Sequence, residues 1–176
     1  RQKHKEFHNT LYIHLGYQNM CTLSTGSVYG SELGNLSSAK SERLMKKIRE
    51  RNHAKRCYRD SLALGDEKKA FHIAANNLGT FKYDSQKKRE RARIETYINT
   101  ELNRMLETEK PERIVITKPV TRNKKRLPSK SANRKFTESF SGYVRKRLAE
   151  KCMVHSIELV EISSRGTGEV CSNCGE

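Results

Sequence analysis

The chain's apolar patterning predicts a mixed α/β fold, with an antiparallel meander followed by alternating helices and strands. Three observations carry that expectation. Near the start, Leu11, Ile13 and Leu15 alternate with Thr10, Tyr12 and His14, the period-two signature of a strand. From about Ala39 the apolar period lengthens to three and four, as a helix requires. Two short apolar runs, Arg113–Thr117 and Ile157–Ile162, then return to strand composition after helical stretches.

Taken in order, residues 1–9 open with a basic stretch and read as a linker from a preceding region. The strand at Leu11–Leu15 ends at Gly16. Met20–Leu23 forms a second strand, Ser24-Thr25-Gly26 a turn, and Ser27–Tyr29 a returning third strand. Gly30–Ser38 is rich in Gly, Ser and Asn and is expected to be a loop. A basic helical pair follows over 39–109. Leu44, Ile48, Cys57 and Leu62 mark one side of its first member, and Gly65-Asp66 and Gly79 are the expected breaks. The second member runs from about Ser85 to Glu109 with an apolar stripe of Ile94, Tyr97, Ile98, Leu102, Met105 and Leu106, and Pro111 stops it. Arg113–Thr117 suits a buried strand closing a crossover. Residues 118–135 form a basic connection expected to order only on a partner. Phe136, Phe140, Val144 and Leu148 define the next helix at four-residue steps. Ile157, Leu159, Val160 and Ile162 form the last strand.

The composition narrows the function. The 176 residues hold 36 Lys and Arg against 20 Asp and Glu, a net charge of +16, and only 34% are hydrophobic. A lean core under such charge repels itself unless a polyanion balances it, and nucleic acid is the simplest polyanion. An acidic membrane surface is the weaker alternative, because no basic amphipathic helix with aromatic anchors stands out. No apolar run approaches the roughly 18 residues of a membrane span, and no stretch of these residues resembles a secretory signal. The first residue is Arg1 rather than Met, so a fragment of a longer protein is expected. Cys21, Cys57 and Cys152 sit in apolar contexts and are expected to be small buried hydrophobes. Cys171 and Cys174 have the Cys-x-x-Cys spacing of one knuckle of a zinc site, which needs two further ligands. An odd cysteine count with one close pair argues for a reducing, cytoplasmic setting.

The excess charge is concentrated. Ala39–Asp60 has nine Lys or Arg against three acids, and Lys118–Lys135 has eight against none. A solvated helix face would balance such charges at i±4, so phosphate binding is the better account. The candidate contacts are Lys46, Lys47, Arg49, Arg51, Lys55 and Arg56, then Lys87, Lys88 and Arg89, then Lys124, Lys125, Arg126, Arg134 and Lys135. Tyr58, Phe81, Tyr83 and Tyr143 are candidates for stacking on unpaired bases, with core packing expected for at least half of them.

The β-β-β, helices, β, helix, β order is that of an RNase H-like fold. Within it, Tyr12-Ile13-His14-Leu15-Gly16, Asn19 and Thr22-Leu23-Ser24-Thr25-Gly26 resemble the first motif of the RuvC-like nuclease domain of TnpB. TnpB is the transposon-encoded RNA-guided nuclease related to type V CRISPR effectors. Ile114-Val115-Ile116-Thr117 resembles the family's second motif, an apolar strand ending in Glu. Leu159-Val160-Glu161-Ile162, Arg165-Gly166-Thr167 and Cys171-Ser172-Asn173-Cys174-Gly175 resemble the strand entering its zinc ribbon. The resemblance implies a RuvC-like domain over 10–168 and the first half of a zinc ribbon over 169–176. The ribbon's second Cys-x-x-Cys comes later in the family, so the zinc site is expected to be incomplete in this chain. The implied partners are a guide RNA and a double-stranded DNA target or RNA–DNA heteroduplex, in a prokaryotic, nucleoid-associated setting.

The chain departs from the family where the chemistry lies. A RuvC-like site holds two divalent cations with carboxylates. Here the first Asp position is His14 and the Glu position is Thr117, while the family's third acid follows the ribbon, beyond Glu176. Imidazole and a neutral hydroxyl are poor ligands for Mg²⁺, so magnesium is not expected. Glu158 and Glu161, expected on one side of the last strand, are the rescue candidates. The resulting expectation is RNA-guided DNA binding without cleavage, as in a transcriptional repressor. The alternatives are an active RuvC-type endonuclease with shifted acids and a non-catalytic RNA-binding scaffold.

Overall fold

The structure is a computed structural model that describes residues 9–118 and 140–163. Strands β1 (Thr10–Leu15), β2 (Cys21–Leu23) and β3 (Val28–Tyr29) form the meander. Helices α1 (Leu33–Ala63), α2 (Glu67–Asn77) and α3 (Phe81–Glu109) follow, then β4 (Arg113–Thr117), α4 (Ser141–Val154) and β5 (Glu158–Ile162). The five strands make one mixed sheet in the order β3-β2-β1-β4-β5. β1–β2 and β2–β3 pair antiparallel, whereas β1–β4 and β4–β5 pair parallel. The expectation of a mixed α/β fold is met at this level.

Strand alternation decides which sheet face is buried. Leu11 and Ile13 of β1, Ile114 and Ile116 of β4, and Cys21 and Leu23 of β2 point into one core. Against them lie Ile94, Ile98, Leu102, Met105 and Leu106 of α3, and Val144, Leu148 and Cys152 of α4. Val144, Leu148 and Cys152 recur at four-residue steps with Phe140 at the helix N-cap, whereas Phe136, expected to open this stripe, lies outside the described residues. Cys21 and Cys152 are buried as expected, whereas Cys57 is only half-buried, on a stretch of α1 outside the core cluster of the sheet. On the opposite face of the sheet Tyr12, Val28 and Ile162 are exposed.

Two features fix how the meander meets the helices. Gly30 has φ +67°, and a Cβ there would stand 2.5 Å from the Met20 Cβ, so only glycine fits the turn after β3. Its N–H donates to Glu101 Oε2 of α3 at 2.8 Å, and Arg104 donates to the same oxygen. The segment Gly30–Ser38, expected as a loop, is helical from Leu33 instead. Gly34 packs so closely on Gln18 that a Cβ would lie 2.9 Å from the Gln18 Cα, while its N–H donates to the Gln18 carbonyl. Backbone contact with the meander therefore overrides the poor helix propensity of Gly, Asn and Ser.

The pair expected over 39–109 is three helices. Gly65, at φ +74°, turns the chain out of α1, and Asp66 caps α2 by accepting from the Lys69 N–H. α3 begins at Phe81, one turn earlier than its apolar stripe indicated. In α1 only Leu33, Gly34, Ser37, Lys40, Ser41 and Ser61 are buried, so the side marked by Ile48 and Leu62 faces solvent, not a core. Only the second half of α3, from Ile94, packs on the sheet. The remaining parts of α1 and α3, with α2 between them, project as a helical arm. At 1.5 Å per residue α1 and α3 are each on the order of 45 Å long. The basic connection 118–135, apart from Lys118, lies outside the described residues, as do the terminal segment 1–8 and the cysteine pair.

Candidate nucleic-acid interface

The strand register brings His14 and Thr117 together. Ile13 of β1 is paired with Ile116 of β4, so the next step aligns His14 with Thr117 near the C-terminal ends of two parallel strands. Across the other edge His14 pairs with Thr22, and Thr117 pairs with Ile162. These residues, with Tyr12, Ser24 and Val115, line an open depression of about 310 Å³ on the sheet face that no described helix covers. Ligand sites of open α/β sheets form at such carboxyl ends.

The donor set of this depression contains one imidazole, hydroxyls and apolar groups, and among the described residues no carboxylate lines it. A pair of divalent cations prefers anionic oxygens, so these residues do not fit a two-metal centre. Among the described residues no three His, Cys, Asp or Glu side chains group as a metal site would need.

The rescue candidates are not brought together. Residues three apart on a strand point to opposite faces, so Glu158 and Glu161 do not share a side as expected. Glu158 stands beside Arg113, whose Nε donates to it at 2.7 Å. That is four residues, or about 13 Å, along β5 from Ile162. Glu161 lies 3.6 Å from Arg145 of α4. Arg145 also donates to the Thr117 carbonyl at 2.7 Å, a link with no signal in the apolar spacing of α4.

The basic residues sit largely on the arm. Residues 42–93 hold 16 Lys and Arg against seven acids. Lys46, Arg49 and Arg56 recur at steps of three and seven and form one stripe of α1. Lys47, Arg51 and Lys55 recur at steps of four and form a second stripe on roughly the opposite side. Lys46, Arg49, Lys55, Arg56, Lys87, Lys88 and Arg89 are all exposed, and none is ion-paired among the described residues. Lys87, Lys88 and Arg89 are consecutive and fan over about 200° of α3.

Others in the basic run are committed locally. Lys47 pairs with Glu50 at 2.9 Å, and that hydrogen bond lowers the Glu50 pKa. Arg51 donates to the Leu78 carbonyl at 2.8 Å and ties α1 to the end of α2. Lys40 is buried, with its ammonium 5.1 Å from the Phe140 ring centroid. Lys124, Lys125, Arg126, Arg134, Lys135, Cys171 and Cys174 lie outside the described residues.

Of the candidate stacking rings, Tyr143 meets Phe140 edge-on at 6.4 Å and accepts a hydrogen bond from Asn99, so it belongs to packing. Tyr58 and Tyr83 are half-buried. Phe81 is 82% exposed. Sequence reasoning missed Phe71, which is 76% exposed on α2. The local pattern did not mark it, because Ala74, Ala75 and Leu78 stand at helical spacing from it.

No protein-family model matches this chain, and no curated protein is significantly similar to it. Among the described residues no helix is long and apolar enough to cross a membrane.

Proposed function

We propose that this chain is a TnpB-like, RNase H-fold domain that binds nucleic acid under RNA guidance and has lost its nuclease site. The strand order β3-β2-β1-β4-β5, antiparallel in the meander and parallel from β1 through β4 to β5, supports the RNase H-like reading. The observation that carries the loss of cleavage is the juxtaposition of His14 and Thr117 in a depression that no described acid lines. The sequence resemblance assigns the family's first two acids to those two positions. A carboxylate at each would share a cation between adjacent strands, whereas His14 and Thr117 supply no negative charge.

The exposed cations of α1 and α3 support the binding half of the reading. They suit a phosphate backbone, with sequence read by base pairing rather than by side chains. The biological outcome is guided occupancy of DNA, which represses transcription at the bound site. Half a zinc ribbon at Cys171 and Cys174 belongs to the same reading.

The test incubates the 176-residue chain with labelled double-stranded DNA and an RNA–DNA heteroduplex, in Mg²⁺ and in Mn²⁺. The proposal expects shifted complexes and intact strands. Cleavage that disappears on changing Glu158 or Glu161 would contradict it and favour an active nuclease with shifted acids.

A further inference from the structure

The arm presents a feature that phosphate binding along its outer stripes leaves unused. α1, the end of α2 and the start of α3 converge on a groove of about 660 Å³. That volume lies within the roughly 300–1,000 Å³ of small-ligand sites. Phe81 lines it while remaining 82% exposed. A phenyl ring left in water forfeits much of the stabilisation that burying it would yield, so an exposed ring at a groove is a place where something docks.

The surroundings of the ring define the ligand. Lys47 and Arg51 enter the groove from α1, and Lys82 and Tyr83 from α3, with the Asn77 amide at the end of α2. Arg51 uses one donor on the Leu78 carbonyl, and a guanidinium has five. The lone acid among the described lining residues, Glu50, is already paired with Lys47. Cations around an open aromatic face, with an amide in reach, match a nucleotide whose base is not paired. The base stacks, the phosphates meet the cations, and the amide contacts the base edge. A duplex buries its base faces and cannot use the ring.

We infer that the α1–α2–α3 junction is a single-stranded nucleic-acid site that stacks one unpaired base on Phe81 and holds its flanking phosphates with Arg51 and Lys82. The inference rests on the nucleic-acid reading above and adds a separate strand contact to it. It assigns the arm two tasks: backbone contact along the Lys46 stripe, and capture of an unpaired nucleotide at the groove.

The chain contains seven tyrosines but no tryptophan, so Phe81→Trp places the one selectively excitable indole at the proposed stacking position. Titration with an eight-nucleotide oligo-uridylate or oligo-adenylate should quench that fluorescence to saturation. By fluorescence anisotropy, Phe81→Ala and Phe81→Leu should each weaken the same oligonucleotides roughly 5- to 100-fold. Both should leave heteroduplex affinity within about twofold of the parent. The leucine variant keeps apolar bulk without a π-face, so it separates stacking from simple burial. Unquenched tryptophan in a complex seen by anisotropy would overturn the site, as would single-strand affinity unchanged in both variants. In either case intact heteroduplex binding would leave the broader reading standing, whereas failure of the parent chain to bind any oligonucleotide would remove both.

Discussion

His14 and Thr117 stand side by side on neighbouring parallel strands, one register step beyond the Ile13–Ile116 pair, on the sheet face that no described helix covers. Their adjacency poses a physical question about charge. Two carboxylates at these positions would repel each other and require a cation. An imidazole and a hydroxyl do not.

The variant carrying both His14→Asp and Thr117→Glu tests this directly. Like charges on paired strand positions destabilise by roughly 0.2–1 kcal/mol, and a divalent cation relieves the repulsion. The melting temperature of the double variant should therefore rise on adding Mn²⁺, while that of the parent chain stays fixed. Cleavage should not return, because among the described residues no further carboxylate lines the depression to complete a two-cation site. An equal Mn²⁺ response in the parent chain, or strand cleavage by the double variant, would contradict the account.

Charge reversal on the outer stripe of α1 separates binding from folding. Lys46→Glu, Arg49→Glu and Arg56→Glu alter exposed side chains that hold no ion pair among the described residues. Stability should change little, since surface substitutions of this kind stay within about 0.5 kcal/mol each. Heteroduplex affinity should fall. The slope of log K against log salt should shrink by about 0.9 for each phosphate that these side chains no longer neutralise. A triple variant with unchanged slope would put the phosphate-binding residues elsewhere.

The link between Glu101 and Gly30 predicts a stability effect far from the arm. Glu101→Ala removes the acceptor of the buried Gly30 N–H and frees Arg104 from its pair. An orphaned buried donor costs about 1–3 kcal/mol, readable by urea denaturation, and Glu101→Gln should recover part of it because the amide oxygen still accepts. Equal stability of all three chains would show that the turn holds without this bond.

Strand positions were legible in the sequence because their alternation is read directly from residue types. Leu11, Ile13, Ile114 and Ile116 point into the core as their pattern requires. The core half of α3 was legible for the same reason. The start of α1 was not, since Gly34 is helical on account of its packing on Gln18, which no local pattern encodes. The outer half of α1 misled in the other direction. Ile48 and Leu62 keep helical spacing but meet solvent, because spacing reports which face residues share and not what covers that face. At the candidate site, the identities of His14 and Thr117 were legible and their adjacency was not, because β1 and β4 pair across roughly a hundred residues. The expectation for Glu158 and Glu161 failed on strand periodicity itself, which assigns them opposite faces.

Burial of Cys21, reinforced by the nearby Glu101 carboxylate, pushes its thiol up to about 12 from an ordinary value of 9.0. The folded chain thus keeps a proton that the unfolded chain releases. The corresponding stability is whole below pH 9 and is lost as pH climbs through 12, at about 1.4 kcal/mol per unit inside that window. Cys152, raised to about 11 by burial, adds to the same trend. Denaturation midpoints measured from about pH 8 to 11 should fall more steeply for the parent chain than for Cys21→Ala, and parallel curves would show that Cys21 titrates alike in both states.

The central claim is a grip on nucleic acid carried by exposed cations. Its most direct measurement is the affinity of the 176-residue chain for a fluorescent RNA–DNA heteroduplex, followed by anisotropy from low to physiological salt. The account predicts binding at low salt and a linear fall of log K with log salt, steep enough for several neutralised phosphates. Absence of binding at low salt, or an affinity indifferent to salt, would contradict it.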